Sequence, residues 1–152
     1  MPNFDFKQVI KRVNLYPPYL GAGIRVRSHS DDFTRFEVEL RARWYNRNLF
    51  GTHFGGSLYA MSDPFFVFII AANFGRDYIV WDKSACIDFL KPGKGTILGV
   101  FEITQDRLDE IRQEVDRLGK NTYHFEADLV NADGEDIARV SKEIYVRKKA
   151  AA

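Results

Sequence analysis

The chain has 152 residues, a length typical of one domain and sufficient to bury a core without disulfides or a structural metal. Hydrophobic residues make up 45% and charged residues 28%, which is typical of a soluble globular protein and excludes a disordered one. The 22 basic and 21 acidic residues leave a net charge of +1, so we expect no nucleic-acid partner.

The cysteine and histidine content and the hydropathy of the chain bear on whether it has disulfides, metal sites or membrane segments. Cys86 is the single cysteine, which excludes an internal disulfide and a cysteine-bound metal cluster. The three histidines are scattered, and we expect neither a metal nor a cofactor. The N-terminus lacks an apolar signal core, and the longest apolar run covers residues 65–72, whereas a spanning helix needs about 20 residues. We therefore expect a cytoplasmic protein that does not enter a membrane.

The first half of the chain predicts two helices and two strands. Apolar residues with helical spacing predict an N-terminal helix over residues 3–14, ended by Pro17 and Pro18. Alternating apolar and polar residues predict strands over residues 24–28 and 34–41. A polar, glycine-rich loop leads into a central helix over about residues 56–74. This helix is apolar nearly all round, so we expect it to be buried, bent at Pro64 and closed by Gly75.

The second half predicts four strands and one surface helix. The strands are expected over residues 78–90, 96–104, 121–130 and 135–146, and Asp133-Gly134 predicts a hairpin turn before the last of them. The helix, over about residues 106–118, carries a narrow apolar stripe and solvated charges. Together these elements predict a single α+β domain over residues 1–152, with a curved antiparallel sheet wrapped around one long central helix.

A glycine pair stands where the loop becomes the central helix. The first amides of a helix have no partner within it, so the N–H groups of Gly55, Gly56 and Ser57 could hold a carbonyl oxygen or a developing oxyanion. The same glycines could instead only permit close packing of the helix on the sheet.

Asp63 is a carboxylate in an otherwise apolar helix, where an unpaired charge is costly. It would lie about 10 Å along the helix axis from Gly56, too far for one chain to place both groups on one small carbonyl. A second copy of the chain could bring its own Asp63 to the glycine loop. The structural alternative is that Asp63 bonds backbone amides or a nearby arginine.

For two residues of the loop, the sequence allows more than one role. Asn48 could be a turn residue or could hold a water molecule with its amide. His53 could be a general base, although its position equally suits stacking or capping.

The segment from Asn48 to Pro64, which includes GTHFGGSLYAMSDP, resembles the core motif of the hotdog-fold superfamily. The resemblance is closest to thioesterases of the phenylacetate-degradation type and an uncharacterised branch related to them. It extends to WDKSACIDFLKPGKG and to the closing IARVSKEIYV. One departure is Phe54, which stands where better-known relatives carry a histidine, with His53 one place earlier.

The resemblance implies hydrolysis of acyl-CoA or acyl-carrier thioesters without a metal, at the interface of a homodimer or a dimer of dimers. Asp63 would be the base or nucleophile, the Gly56 amide would contact the oxyanion, and Asn48 would orient water or the loop. The remaining candidates would contact substrate: Gly55, His53, Phe54, Ser57, Asp82 and Ser84. Asp82 and Ser84 are expected on one strand face, although an ordinary polar sheet face is the alternative for them.

Two other functions stay open at this point. A non-catalytic acyl-CoA-binding or regulatory module would keep the glycine loop and lose the acid, so the presence of Asp63 argues against it. An enoyl-CoA hydratase of the same superfamily would carry a histidine soon after the aspartate, and Pro64 to Phe68 contain none.

Overall fold

The computed structural model describes residues 6–150. Six antiparallel strands form one sheet in the order β1-β2-β4-β5-β6-β3. The strands are β1 (Ile24–His29), β2 (Arg35–Arg41), β3 (Tyr78–Phe89), β4 (Thr96–Glu102), β5 (Lys120–Asn131) and β6 (Asp136–Lys148). The helices are α1 (Phe6–Arg12), α2 (Pro17–Ala22), α3 (Gly55–Ala60), α4 (Phe65–Phe74) and α5 (Gln105–Leu118), with 3-10 turns at Val13–Leu15 and Gly75–Asp77.

The core lies between the sheet and the central helical segment α4. Aromatic rings make the closest contacts: Phe65 of α4 stacks on Phe101 of β4 with 5.0 Å between centroids, and also lies 5.5 Å from Phe36 of β2. The next residue of α4, Phe66, stacks on Phe125 of β5. This ring-packed core therefore accounts for many of the 13 phenylalanines of the sequence.

The predicted central helix is interrupted. Helix α3 ends at Ala60 and α4 begins at Phe65, with turns and bends over residues 61–64. Pro64 has no N–H to continue the ladder of helical hydrogen bonds, so the expected bend is a break. Asp63 consequently lies between two helices, and the expectation that it is embedded within a continuous helix is wrong.

The N-terminal region also differs from the prediction. Within the described residues, α1 ends at Arg12 and a 3-10 turn continues it to Leu15, while residues 3–5 of the predicted helix lie outside the described part. Pro17 and Pro18 begin helix α2, because proline suits the first turn of a helix, where no N–H bond is needed.

Strand β3 is the edge strand that leads to the site, and it carries an irregularity. Its pairing with β6 shifts by one residue between Asp82 and Ser84, so Lys83 is the extra residue of a bulge. The bulge places Asp82 toward the interior and Ser84 toward solvent, where its hydroxyl donates to Glu143 Oε2 at 2.9 Å. The expectation that Asp82 and Ser84 share a face is therefore wrong.

The surface helix α5 matches its prediction closely. Its stripe of Leu108, Ile111 and Val115 is fully buried, whereas Leu118 at the end of the helix is half exposed. Thr104 caps the start by accepting a hydrogen bond from the Arg107 amide, and Gly119 closes the end with a positive φ of 80°.

The segment Gly55–Asp77 is long and apolar enough to cross a membrane by composition alone. Half of its most apolar window is buried inside the fold, where α4 forms the centre of the core. Its apolar character is thus accounted for by packing against the sheet.

Candidate active site

The backbone of Asp63 is held by a hydrogen bond, whereas its carboxylate is accessible to solvent. The Asp63 carbonyl accepts a hydrogen bond from the hydroxyl of Tyr19, a buried residue of α2. The Asp63 side chain is 54% exposed, so water and a substrate can reach it. The break between α3 and α4 therefore presents a carboxylate at the surface from an anchored backbone.

A buried lysine contacts this carboxylate. Lys142 of β6 has only 1% of its side chain exposed, and its ammonium donates to Asp63 Oδ1 at 3.2 Å and to Asp82 Oδ2 at 3.1 Å. A buried ammonium is tolerated when it is paired and hydrogen-bonded, and two carboxylates meet that need. We call Asp63, Lys142 and Asp82 the acidic cluster.

Asp82 is the less hydrated carboxylate of the acidic cluster. Burial raises the pKa of Asp82 above its usual value, while Lys142 acts in the opposite direction and the neighbouring Asp63 adds to the increase. Its Oδ1 is buried and has no hydrogen-bond partner among the described residues. Two carboxylates thus share one ammonium, and the more buried of them favours a proton more than an ordinary aspartate does.

The hydroxyl of Tyr19, which donates to the Asp63 carbonyl, is also affected by burial and by the charge of Asp63. Burial raises the pKa of the Tyr19 phenol, and the nearby charge of Asp63 raises it further. The phenol therefore stays protonated and acts as a donor to the Asp63 backbone.

The glycine loop lies at the start of α3. Phe54 precedes the helix with extended backbone, and no side chain caps the first amides of the helix. A Cβ on Gly56 would lie 2.4 Å from the Phe54 ring, and a Cβ on Gly55 would lie 3.0 Å from the Phe89 ring. Gly55 therefore permits close packing of the helix on β3, as the structural interpretation expected, whereas Gly56 makes room for the ring that precedes the helix. The Ser57 amide donates to the Phe54 carbonyl at 2.9 Å, so the expectation that it could hold a carbonyl oxygen is wrong. The amides of Gly55 and Gly56 stay candidates for that role as a proposal.

Asn48 organises the loop with every polar atom of its side chain. Its Nδ2 donates to Thr52 Oγ1 at 2.8 Å and to the His53 carbonyl at 3.2 Å, and its Oδ1 accepts from the amides of Phe50 and Thr52. This geometry favours orientation of the loop over direct binding of water.

His53 is buried and bonded to the loop that follows β3. Its ring Nε2 lies 2.9 Å from the carbonyl oxygen of Gly95, which makes Nε2 the protonated donor, and its own amide donates to the Gly93 carbonyl. Burial lowers the pKa of His53, so the neutral ring is favoured. Stacking on a substrate requires exposure that this ring, 3% exposed as a residue, does not have.

A cavity of about 350 Å³ opens beside this loop. Its walls include Asn48, His53 and Gly55 from the loop, and Phe89 and Lys91 from the end of β3 and beyond. Among the described residues, none of the acidic cluster lines this cavity. Within one chain, the loop cavity and the carboxylate of Asp63 are therefore separate features.

The other predicted site residues occupy different surroundings. Phe54 is 60% exposed beside the loop, Ser57 is buried in α3, and Ser84 lies on the solvent face of the sheet. Across residues 6–150, no three His, Cys, Asp or Glu side chains lie close enough together to hold a metal ion.

Lys142 and Tyr19 were not predicted as site residues. Alternate residues of β6 point inward, and Lys142 occupies the same inward row as Val140, Ile144 and Val146. A lysine in such a row is the signal that could have identified it, because a buried ammonium requires carboxylate partners. Tyr19 carries no comparable signal, since its contact with Asp63 depends on how α2 packs.

Comparison with known proteins identifies the fold and the family. The model of a family described as a domain of unknown function, DUF4442, matches residues 6–146. No protein of curated function matches the chain by sequence. Three similar solved structures are a protein of unknown function and probable thioesterase from Pseudomonas aeruginosa, a thioesterase from Haemophilus influenzae, and the PaaI protein of the Escherichia coli phenylacetic acid degradation operon.

The similarity to these structures covers nearly all of each chain at low sequence identity. The Pseudomonas protein is 18% identical with a TM-score of 0.78, covering 96% of this chain and 97% of that one. The Haemophilus protein is 11% identical with a TM-score of 0.67, covering 96% and 92%, and PaaI is 16% identical with a TM-score of 0.65, covering 97% and 95%. The chain therefore has the hotdog fold and belongs to the DUF4442 family.

Proposed function

We propose that the protein hydrolyses acyl thioesters, carried by coenzyme A or by an acyl carrier protein, with Asp63 as general base or nucleophile. The observation that carries this proposal is the accessible Asp63 carboxylate, anchored at the helix break beside a buried ammonium. The thioesterase names of the Haemophilus and Pseudomonas structures support the same reaction class.

The proposed reaction needs a proton acceptor and a polarised carbonyl. As a base, Asp63 would take a proton from water while the water oxygen attacks the thioester carbon. The C–S bond then breaks, and the protonated Asp63 gives its proton to the departing thiolate, which leaves as the thiol. As a nucleophile, it would attack the thioester carbon and form a mixed anhydride while the C–S bond breaks and the thiolate leaves. Water would then cleave the anhydride, releasing the carboxylic acid and regenerating the Asp63 carboxylate. The Gly56 amide would donate to the carbonyl oxygen, helped by Gly55, and Asn48 would hold the loop that presents both amides.

We propose that the complete site forms between two copies of the chain. Strand β3 is a 12-residue edge with one side of its backbone unpaired within the described chain, and such an edge readily pairs with another strand. Exposed Trp81, Phe89 and Leu90 lie on or next to it. A homodimer, or a dimer of dimers, would then place Asp63 of one subunit at the glycine loop of the other.

The same proposal extends to organisation and location. The family model spans residues 6–146, which supports one domain over the chain. Packing of the apolar segment Gly55–Asp77 into the core supports a protein that works in the cytoplasm.

The test is a thiol-release assay across acyl-CoA chain lengths and an acyl carrier protein substrate. Wild-type protein should hydrolyse at least one of these thioesters, and Asp63→Asn should lose that activity. Asp109→Asn, the same change at an exposed aspartate of α5, is the matched control and should behave as wild type. Saturable binding of an acyl-CoA without hydrolysis would instead identify a non-catalytic binding module.

A further inference from the structure

We propose that Lys142 is a positioning residue, which holds one oxygen of the Asp63 carboxylate so that the other oxygen faces the reacting water or thioester. This inference rests on the proposed function and assigns a role to a residue outside the segment from Asn48 to Pro64. Its support is the acidic cluster itself, in which a lysine buried in the sheet donates to Asp63 Oδ1 at 3.2 Å.

The lysine is held more firmly than the carboxylate that it contacts. Lys142 lies in the inward row of β6, a strand paired on both sides by β5 and β3, and its side chain is almost fully buried. Asp63 is half exposed and lies in a segment of turns. Because the ammonium comes from the rigid element, it restricts the rotation of the carboxylate more than the carboxylate restricts the lysine.

Asp82 is the second carboxylate that accepts a hydrogen bond from the Lys142 ammonium. It accepts from Lys142 through Oδ2 at 3.1 Å, so the ammonium is held between Asp82 on β3 and Asp63 at the helix break. Since Lys142 occupies Oδ1 of Asp63, Oδ2 is the oxygen left to accept a proton or to attack.

The direct variant is Lys142→Met, which keeps length and removes the charge. By itself it leaves Asp82 buried without its partner, and loss of one member of a buried ion pair destabilises strongly. The double variant Lys142→Met/Asp82→Asn removes that uncompensated charge while leaving Asp63 intact. We therefore expect the double variant to fold, and Asp82→Asn alone serves as its comparison because it keeps the Asp63–Lys142 contact.

Loss of positioning should appear in turnover. With the best thioester substrate, we expect kcat of the double variant to fall about 10- to 100-fold below that of Asp82→Asn, with KM nearly unchanged, because misplacement of a reacting group by about 1 Å can cost 10²-fold. Lys142→Arg, which restores a positive charge, should recover part of the loss. A merely structural role would lower the melting temperature and the amount of active enzyme, and would leave the kcat of the folded fraction unchanged.

Adding Asp63→Asn to each variant completes the test. If Lys142 acts through Asp63, removing the lysine should have no further effect on kcat in the Asp63→Asn background. An equal loss of kcat with and without the Asp63→Asn substitution, or full activity of the double variant, would overturn the positioning role. Full activity of Asp63→Asn alone, or an inactive wild-type protein, would overturn the proposed function and with it the purpose assigned to Lys142.

Discussion

The glycine loop and the acidic cluster differ in how their polar groups are satisfied. In the loop, Asn48 uses all its side-chain polar atoms within residues 48–53, and His53 is bonded to Gly95, which leaves only His53 Nδ1 buried without a described partner. In the acidic cluster, two carboxylates compete for one ammonium, and Asp82 Oδ1 has no described partner. The loop is built to hold a shape, whereas the cluster holds charge that folding alone does not require.

This comparison supports our proposal that Asp63 carries the chemistry and that the loop provides positioning. A solvent-exposed carboxylate such as Asp63 can transfer protons or attack carbon, and the neutral, internally bonded loop cannot. The backbone amides at Gly55 and Gly56 are the part of the loop that could contact a substrate carbonyl directly. The variants below separate the two regions, beginning with the largest expected effect.

Asp63→Asn should lower kcat/KM by about 10²–10⁴-fold, the usual cost of removing a general base. The melting temperature should stay close to that of wild type, because Lys142 keeps Asp82 as a charged partner. A thiol-release assay and a melting curve on the same preparation check both statements. A variant that melts much earlier and turns over normally when folded would make Asp63 a structural residue.

Gly56→Val should lower activity by about 10²-fold. A branched side chain at this position displaces the backbone or the Phe54 ring, and a displacement of about 1 Å is enough to misplace the reacting groups and cause a loss of that size. The fold should persist, since Phe54 is largely exposed and can move and Gly56 has no positive φ. Gly21→Val in α2 is the matched control, because a Cβ there meets no atom within 4 Å. Equal activities of the two variants would remove the Gly56 amide from the mechanism.

Sequence patterns were sufficient for most of the fold, because periodicity reports burial directly. The stripe of α5 and the strand β5 are both found where they were predicted. The bulge at Lys83 was not predictable, since one extra residue reverses the facing of all that follows without changing composition. The role of Lys142 was not predictable from local patterns, because its partners, Asp63 and Asp82, lie 79 and 60 residues away along the chain.

Asp82→Asn should change stability in a pH-dependent way. Because burial raises the pKa of Asp82 in the folded state, the folded protein binds this proton more tightly than the unfolded chain. The ionised group therefore costs stability as the pH rises above the ordinary value of 3.8, and below that pH the cost is absent. The melting temperature of Asp82→Asn relative to wild type should rise between about pH 3.5 and pH 7, and a constant difference would contradict this.

His53→Gln should have the smallest effect on stability. The pH dependence of the wild-type group is opposite to that of Asp82, because His53 costs stability as the pH falls. Burial lowers the pKa of His53, so the unfolded chain binds the proton more tightly and wild type loses stability as the pH falls below the ordinary value of 6.5. Glutamine can still donate to the Gly95 carbonyl but does not titrate. The variant should therefore lose less stability than wild type between about pH 7 and pH 5, as measured by thermal melts at matched ionic strength.

The proposed shared site is tested most directly by hybrid dimers of Asp63→Asn and Gly56→Val subunits, purified through two different tags. Each variant alone should be nearly inactive. In a twofold dimer, the hybrid has one site with both native residues and one with both substitutions, so it should regain about half of the wild-type activity. Hybrids as inactive as their parents would contradict a site in which Asp63 of one subunit meets the glycine loop of the other.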